Sequence, residues 1–526
     1  MAKAYFGLPL WLWVILFLGI VLRITSVSWN DRLFGDVNLF ALSAREYSES
    51  GKLYYPMKWD YSTTTKWGDL KTPQSQHPPL WSYLAGVLSK GLGIFETYKV
   101  LQCMSLISQC LVLWMSFLLC KVVAMPATKW AVLLIACSPI LIDFAGNGSQ
   151  YSIGSFFLLA SCWQILRSSF PSKFNALCAG VFAGLAFFTH GAFILSIAAV
   201  VLAIFWMQRD IKDKILLIAP SLLGFSLAII PLVIFRLDHF GTPFHNLNFV
   251  FIAGVLGKLS IISETDGIFW RASNMWEMTD FVIYLKNCLK IWGKFVMYLL
   301  WEWGPGALIL GLFSMLFVFK KRDAKLWILL LFLASYLLPV FLWPGFRSRF
   351  LVPVLPFVFI LSAIGYDYLF IQGGLARRLS RFALFSSLGW FAISWLITSN
   401  LTGSPARYYT FDLKHKVDYA DMMILVDRMK GLEKGVVIGA ARSLDGGMEG
   451  IYWHDFPYVH ARPWVSGDGL QWSLIERLQK DYHAQYFWTD EIMLPKYEEN
   501  LKDMELLLQS GKFRLYRFEK SNGLTE

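Results

Sequence analysis

Residues 8–28 read LPLWLWVILFLGIVLRITSVS and contain one charged side chain, Arg23. About 20 apolar residues cross the hydrocarbon core of a bilayer as a helix, so this stretch predicts a membrane span. Its length favours a retained anchor over a cleaved signal peptide. Ten further stretches of the same character lie at about 98–120, 130–145, 151–166, 175–189, 191–207, 215–235, 305–319, 326–343, 350–370 and 383–399.

The composition indicates the same class of protein. Of the 526 residues, 56% are hydrophobic and 16% are charged, and the mean hydropathy is +0.48. This is too apolar for a soluble domain and too long for a single core. The seven cysteines form no CxxC motif and no Cys/His cluster, so neither a zinc site nor a disulfide framework is indicated. We expect an α-helical polytopic membrane protein of about 11 spans.

The chain has a net charge of +11, and residues 401–526 carry 16 Lys and Arg against 19 Asp and Glu. The excess of positive charge therefore lies in residues 1–400. Short alternate loops between the apolar stretches are basic, which by the positive-inside rule makes them and the N-terminus cytoplasmic. Topology explains the charge, so we expect no nucleic-acid partner. The basic loop residues are Lys121, Lys129, Arg167, Lys173, Arg209, Lys212, Lys214, Lys320, Lys321, Arg322, Lys325, Arg377, Arg378 and Arg381.

The chain divides into two predicted domains. Residues 1–400 form a transmembrane domain with two large outer loops, 29–97 and 236–304. In the second loop, the semi-apolar stretches 247–261 and 281–301 predict either interfacial helices or an additional membrane hairpin. Residues 411–526 alternate helical and strand patterns and predict a small α/β domain outside the cytoplasm. Its predicted helices are 417–429, 472–482 and 498–509, and its predicted strands are 435–440, 485–489 and 513–518.

Two candidate site residues lie in the first outer loop. Asp36, in Phe34-Gly35-Asp36-Val37, precedes a helix-like segment at 39–49, where its carboxylate can accept a proton from a hydroxyl or simply cap that helix. His77 precedes Pro78-Pro79 and an apolar stretch at 80–92 that predicts an interfacial helix. A helix N-terminus favours anions, so His77 is either an anion contact or an incidental part of a rigid turn.

Two further candidates lie at later outer boundaries. His190, in Thr189-His190-Gly191, separates two apolar stretches and needs a polar partner, either within the structure or in a ligand. Arg347 and Arg349 stand where the stretch at 350–370 begins. Arginine makes bidentate contacts to phosphate, and it also anchors helices at the interface.

Together these motifs resemble the GT-C superfamily of membrane glycosyltransferases, and in particular the branch of the protein O-mannosyltransferases and the lipid A aminoarabinose transferase. That branch has an acid after the first span, a basic residue before Pro-Pro-Leu, Thr-Lys-Gly after span five, a Gly-x-Pro turn, and Arg-Tyr/Phe-x-x-Pro-x-x-Pro at a late span. The similar residues are Asp36, His77-Pro78-Pro79-Leu80, Thr189-His190-Gly191, Gly241-Thr242-Pro243, and Arg349-Phe350 with Pro353 and Pro356.

The sequence departs from this pattern in two respects. His77 and His190 stand where the family usually has Lys. The additional acid that the family often carries between spans three and four is missing from Asn147-Gly148-Ser149-Gln150, and Asp143 is the nearest carboxylate.

The resemblance implies an inverting glycosyltransferase of the cell membrane (inner or plasma membrane) that uses a polyprenyl-phosphate-linked sugar as donor. The acceptor hydroxyl would belong to a lipid, a glycan or a protein on the extracytoplasmic face. Asp36 would be the general base, Arg347 and Arg349 would hold the donor phosphate, and His77 and His190 would add phosphate or sugar contacts. No cofactor or metal is expected. The alternatives are a transporter or flippase of a lipid-linked sugar, and a surface-polysaccharide polymerase or ligase.

Overall fold

A computed structural model provides the three-dimensional structure of the chain. It describes residues 9–29, 36–55, 57–58, 72–74, 77–168, 171–208, 210–240, 281–321, 323–341, 348–402, 413–440, 456–460 and 472–518. The predicted stretch at 247–261, the turn Gly241-Thr242-Pro243 and Arg347 lie outside these residues.

The predicted transmembrane domain is a bundle of helices in its described part. They are α1 (Leu10–Trp29), α2 (Asp36–Ser50), α3 (Leu80–Leu88), α4 (Ile94–Val123), α5 (Thr128–Cys137), α6 (Pro139–Gly146), α7 (Tyr151–Leu166), α8 (Lys173–Thr189), α9 (Ser196–Met207), α10 (Ile211–Phe240), α11 (Phe281–Trp303), α12 (Pro305–Lys321), α13 (Ala324–Phe341), α14 (Leu355–Gln372) and α15 (Gly374–Thr402).

Each of the 11 predicted apolar stretches is helical, but the number of spans is not established by helix length. Six described helices, α1, α4, α10, α13, α14 and α15, are long and apolar enough to cross a membrane, and the bent pairs α5–α6 and α11–α12 raise the number to eight. The pairs bend by 55° and 106°. Helices α7 and α8 have only 16 and 17 residues, which rise about 25 Å, less than the ~30 Å hydrocarbon core.

A buried arginine, Arg23 of α1, hydrogen-bonds the backbone at the bend between α5 and α6. Pro139 has no N–H, so the carbonyl of Ile135 loses its helical donor at this position. The Arg23 Nη2 donates to the Ile135 carbonyl at 3.0 Å, and its Nη1 donates to those of Ala136 at 3.3 Å and Gly19 at 3.0 Å. Arg23 is fully buried, so it supplies donors where no water is available.

We expect Arg23→Met to lower the free energy of unfolding by about 1–3 kcal/mol, the cost of buried carbonyls left without donors. The loss stays in this range because Met also removes the cost of burying a guanidinium. Thermal unfolding in detergent measures it. Ile24→Met, at an exposed neighbouring position, is the matched control, and equal melting of both variants would show that Arg23 does not stabilise the bend.

The tail, which lies within residues 411–526, contributes helices and most strands of a six-stranded sheet. Its helices are α16 (Leu413–Met429), α17 (Trp472–Tyr482) and α18 (Leu494–Leu501). The strands are β1 (Tyr54–Tyr55), β2 (Met57–Lys58) and β3 (Thr72–Pro73) in the first outer loop, and β4 (Val436–Ala440), β5 (Tyr458–His460), β6 (Ala484–Asp490), β7 (Glu505–Ser510) and β8 (Phe513–Arg517) in the tail. The order of the six-stranded sheet is β2-β5-β4-β6-β8-β7, parallel from β2 to β6 and antiparallel from β6 to β7.

The helix predicted at 498–509 is wrong. Pro495 lies in the first turn of α18, a position that suits proline, so the helix begins earlier and ends at Leu501. The following residues form β7 and pair with β8 across a turn in which Gly511 has φ +51°. Residues 505–510 are therefore a strand, because they pair with β8 in the folded chain, and this pairing is not visible in the local sequence.

The first outer loop and the tail are joined. Strand β2 comes from the first loop, and its Met57 and Lys58 pair in parallel with Tyr458 and Val459 of β5. One apolar cluster also includes residues of α2, α3 and α4 together with residues of α16 and the sheet. The sheet therefore lies at the end of the bundle that carries α2 and α3. At the opposite end, the Lys325 Nζ donates to the Val122 carbonyl at 3.1 Å and connects two of the predicted cytoplasmic loops.

Candidate active site

The loop at 147–150 lies against the first-loop helices. Gly148 has φ +77°, and a Cβ at this position would stand 3.2 Å from the Cγ1 of Val37, so only glycine fits comfortably. The carbonyl of Gly148 accepts a hydrogen bond from the Trp81 Nε1 at 2.9 Å. The N-terminal end of α2 and the first turn of α3 therefore meet at this loop.

His77 stands at the start of α3 and contacts both neighbouring elements. Its Nδ1 is 3.3 Å from the Nε2 of Gln150, and its ring centroid is 5.4 Å from that of Phe40 on α2. The His77 carbonyl accepts from the Gln74 Nε2 at 3.3 Å, and the Gln74 Oε1 accepts from the Ser43 hydroxyl at 2.7 Å. These bonds fix both the backbone and the ring of His77.

His190 follows α8 and faces His77, with the two ring centroids 5.6 Å apart. Its Nδ1 accepts from the Ala192 backbone N–H at 3.1 Å. A neutral ring therefore carries its proton on Nε2, which lies 3.3 Å from the Tyr151 hydroxyl. The sequence predicted that this histidine would need a polar partner, and the structure supplies two.

Arg349 completes the group from the turn before α14. Its Cζ lies 5.8 Å from the ring centroid of Tyr151, within the range of a cation–π contact. The neighbouring Phe350 ring packs edge-on against Tyr151 at 5.6 Å and lies 5.8 Å from His190. We call His77, Gln150, Tyr151, His190 and Arg349 the histidine–arginine cluster.

Several buried polar atoms around this cluster have no hydrogen-bond partner among the described residues. They are the Oε1 of Gln150 and the hydroxyls of Ser149, Ser155 and Tyr336. A buried polar group without a partner costs about 1–3 kcal/mol, and a bound polar ligand is one way to recover that energy. The described residues contain no group of three or more His, Cys, Asp and Glu that could hold a metal ion.

The structure brings three of the predicted site residues together, namely His77, His190 and Arg349. Asp36 is the first residue of α2 and precedes Phe40, whose ring contacts His77, by one helical turn; the side chain of Asp36 lies outside the described part. Asp143 is fully buried on α6, one turn before the loop at 147–150.

Gln150, Tyr151 and Tyr336 were not predicted as site residues. Gln150 belongs to the loop that lacks the acid expected from the family pattern, and it contacts His77 instead. Tyr151 and Tyr336 sit inside apolar stretches, where a lone tyrosine gives no sequence signal. Only the position of their hydroxyls in the fold distinguishes them from other aromatic packing residues.

Solved structures with this architecture identify the fold. The archaeal oligosaccharyltransferase AglB from Archaeoglobus fulgidus, in complex with an inhibitory peptide and a dolichol-phosphate, matches with TM-score 0.56 at 14% identity, over 92% of this chain and 70% of that chain. ArnT from Cupriavidus metallidurans bound to undecaprenyl phosphate matches with TM-score 0.53 at 12% identity, over 98% and 99% of the two chains.

The chain has the GT-C fold. The fold that the resemblance implied for residues 1–400 is confirmed, and the ArnT match extends to the tail, because it covers nearly the whole of both chains. No family model and no curated protein sequence matches the chain. At identities of 12% and 14% the likeness establishes the architecture alone.

Proposed function

We propose that this protein transfers a sugar from a polyprenyl-phosphate carrier to an acceptor hydroxyl at the extracytoplasmic membrane face. The observation that carries the proposal is the histidine–arginine cluster. Its residues come from positions as distant as His77 and Arg349, yet they meet at one end of the bundle beside buried, unpartnered polar atoms. An anionic, polar substrate at a membrane boundary fits such a site.

Arg349 is assigned to the donor phosphate. A guanidinium makes bidentate, charge-assisted hydrogen bonds to phosphate, and Arg349 lies in the turn just before α14, at the predicted outer end of that span. The His190 Nε2 proton and the Tyr151 hydroxyl stand beside it and can donate to phosphate or sugar oxygens. His77 lies on the α2 side of His190, with its ring between those of His190 and Phe40.

Asp36 is assigned as the general base. It accepts the proton of the acceptor hydroxyl as the acceptor oxygen bonds to the sugar's anomeric carbon. The bond between that carbon and the phosphate oxygen breaks, and the carrier leaves as polyprenyl phosphate. Attack opposite the leaving group inverts the anomeric centre. The charge that develops on the phosphate is the charge that Arg349 stabilises.

Two features support a lipid-linked donor. AglB and ArnT were solved with a dolichol-phosphate and undecaprenyl phosphate, respectively, and both are polyprenyl phosphates. In this chain the cluster lies at the end of the bundle that carries the short helices α2 and α3. We propose that these helices lie at the membrane interface, where a carrier can enter sideways from the bilayer. We further propose that arginine supplies the positive charge and that no metal is required.

A transfer assay with the purified chain tests the function. We expect incubation with a polyprenyl-phosphate sugar in EDTA to release polyprenyl phosphate and to label an acceptor from the native envelope, and mass spectrometry of surface glycans with and without the protein identifies that acceptor. Movement of intact donor across vesicles without release of the carrier would instead support a transporter. Loss of transfer in EDTA, restored by a divalent ion, would contradict the metal-free assignment.

The proposal requires a cytoplasmic N-terminus and an extracytoplasmic tail. We expect a reporter that is active only outside the cytoplasm to be active when fused after residue 526, because the tail shares the sheet with the first outer loop. The same reporter fused within the loop at 208–210 is the matched control and should be silent. An inverted pattern would place the histidine–arginine cluster on the cytoplasmic side.

A further inference from the structure

A second candidate site lies at the other end of the bundle. A cleft of about 640 Å³ opens between α1, the start of α5, and the ends of α14 and α15 that meet at their connection. Asp367 lies 12 residues after Leu355 along α14, so the cleft is about 18 Å from the helix end next to Arg349. The cleft is therefore separate from the histidine–arginine cluster.

Charged groups of both signs line this cleft. Lys129 and Arg381 contribute two positive charges, and Asp367 contributes one negative charge. The carboxylate of Asp367 interacts electrostatically with Lys129. The lining therefore has a net charge of +1, which matches a single phosphodiester.

Aromatic rings position the two cations. The Lys129 Nζ lies 4.7 Å from the Trp130 ring centroid, and the Arg381 Cζ lies 5.4 Å from that of Phe370. The Trp130 ring packs on Tyr366 at 4.7 Å, which joins the α5 and α14 sides of the cleft. Arg381 also makes a side-chain hydrogen bond to Tyr366, and because a guanidinium has five N–H donors, donors remain for a ligand.

The mouth of the cleft is apolar and opens at the outer surface of the helix bundle. Trp11 on α1 is 41% exposed and Phe385 on α15 is 68% exposed, and both line the cleft. Both belong to helices long and apolar enough to span the membrane. A hydrocarbon chain can therefore extend from the charged side chains of the cleft along its apolar side chains into the bilayer.

We propose that this cleft binds an anionic phospholipid of the leaflet opposite the candidate active site. Its singly charged phosphodiester lies between Lys129 and Arg381, and its acyl chains follow Trp11 and Phe385. Basic pockets between spanning helices are suited to anionic headgroups. The short basic loops at this end make it the predicted cytoplasmic side, where the donor sugar does not react. The inference therefore stands independently of the proposed transfer reaction.

Native mass spectrometry of the full chain in detergent, titrated with phosphatidylglycerol, tests the proposal. We expect Lys129→Ala and Arg381→Ala each to weaken binding about fivefold, the usual effect of one cation near a lipid headgroup. Both side chains are exposed, so neither change should affect folding. Arg378→Ala removes the same charge from an exposed position outside the cleft lining, and it should leave the affinity within about twofold.

Asp367→Asn gives an independent readout, because it should strengthen binding by about fivefold, a gain that misfolding cannot produce. Equal losses for Arg378→Ala and the two cleft variants would overturn the proposal in favour of diffuse surface electrostatics. Binding of phosphatidylcholine as tightly as phosphatidylglycerol would overturn the charge match. Binding of glycerol phosphate as tightly as the lipid would overturn the lipid assignment and leave a site for a soluble phosphate ester.

Discussion

Asp36→Asn is expected to reduce the rate of sugar transfer by about 10²–10⁴ fold while leaving the chain folded, because general-base catalysis usually contributes that much. The amide keeps the shape of the carboxylate and can still cap the helix that Asp36 begins. It cannot accept the hydroxyl proton at neutral pH. The measurement is the turnover of a polyprenyl-phosphate sugar by purified protein of equal thermal stability.

The position of Asp36 supports this role through its neighbours in the chain. Val37 packs against Gly148, and Phe40, one turn later, contacts the His77 ring. Glu49→Gln is the matched control, since it makes the same change at the far end of α2, where Glu49 forms an exposed ion pair with Arg45 that contributes little. Near-normal turnover by folded Asp36→Asn would mean that Asp36 only caps α2.

The membrane helices could be predicted because their signal is local. Each apolar stretch is a run along the chain, and all of them are helices in the structure. The amphipathic helix predicted at 472–482 likewise matches α17, because its apolar period of 3.6 residues is visible without any partner. The local period and the length of each apolar stretch determine these elements, so the residue order within each segment was enough to predict them.

The joins between distant segments could not be predicted. The pairing of Met57 with Tyr458 depends on two strands of two or three residues, too short to give a pattern. The role of the buried Arg23 could not be predicted either, because two of its three carbonyl partners, Ile135 and Ala136, lie more than 110 residues away. Hydrogen bonds that form only in the fold offset the cost of burying this guanidinium.

The candidate site falls between these cases. His190 was predicted because a histidine between two apolar stretches is costly without a partner. His77 was predicted because it precedes a helix N-terminus, which favours anions, and Arg349 because arginine makes bidentate contacts to phosphate. Each of these signals is local, and the three residues do lie close together. The contribution of Tyr151, which contacts both His190 and Arg349, required the fold, because a tyrosine in an apolar helix is ordinary packing in sequence terms.

Arg349→Ala is expected to weaken binding of the polyprenyl-phosphate donor by more than about tenfold. The loss corresponds to roughly 1.5–3 kcal/mol, the range for hydrogen bonds to charged groups. Arg349→Lys should restore only part of the affinity, since an ammonium is a point charge and cannot make the bidentate contact. Arg347→Ala is tested in parallel, because the sequence motif offers either arginine as the phosphate ligand.

Arg349 lies in the turn before α14, where an arginine can either bind phosphate or anchor the helix at the interface. The dependence of thermal stability on the lipid ligand separates these two roles. An anchor variant would lose thermal stability equally with and without polyprenyl phosphate. A phosphate-site variant keeps the stability of the ligand-free protein and loses the increment that the lipid adds, because a ligand stabilises only the state that binds it. If Arg349→Ala and Arg347→Ala both retain the full increment, the phosphate is held elsewhere in the histidine–arginine cluster, and His190, whose Nε2 lies 3.3 Å from the Tyr151 hydroxyl, becomes the residue to replace.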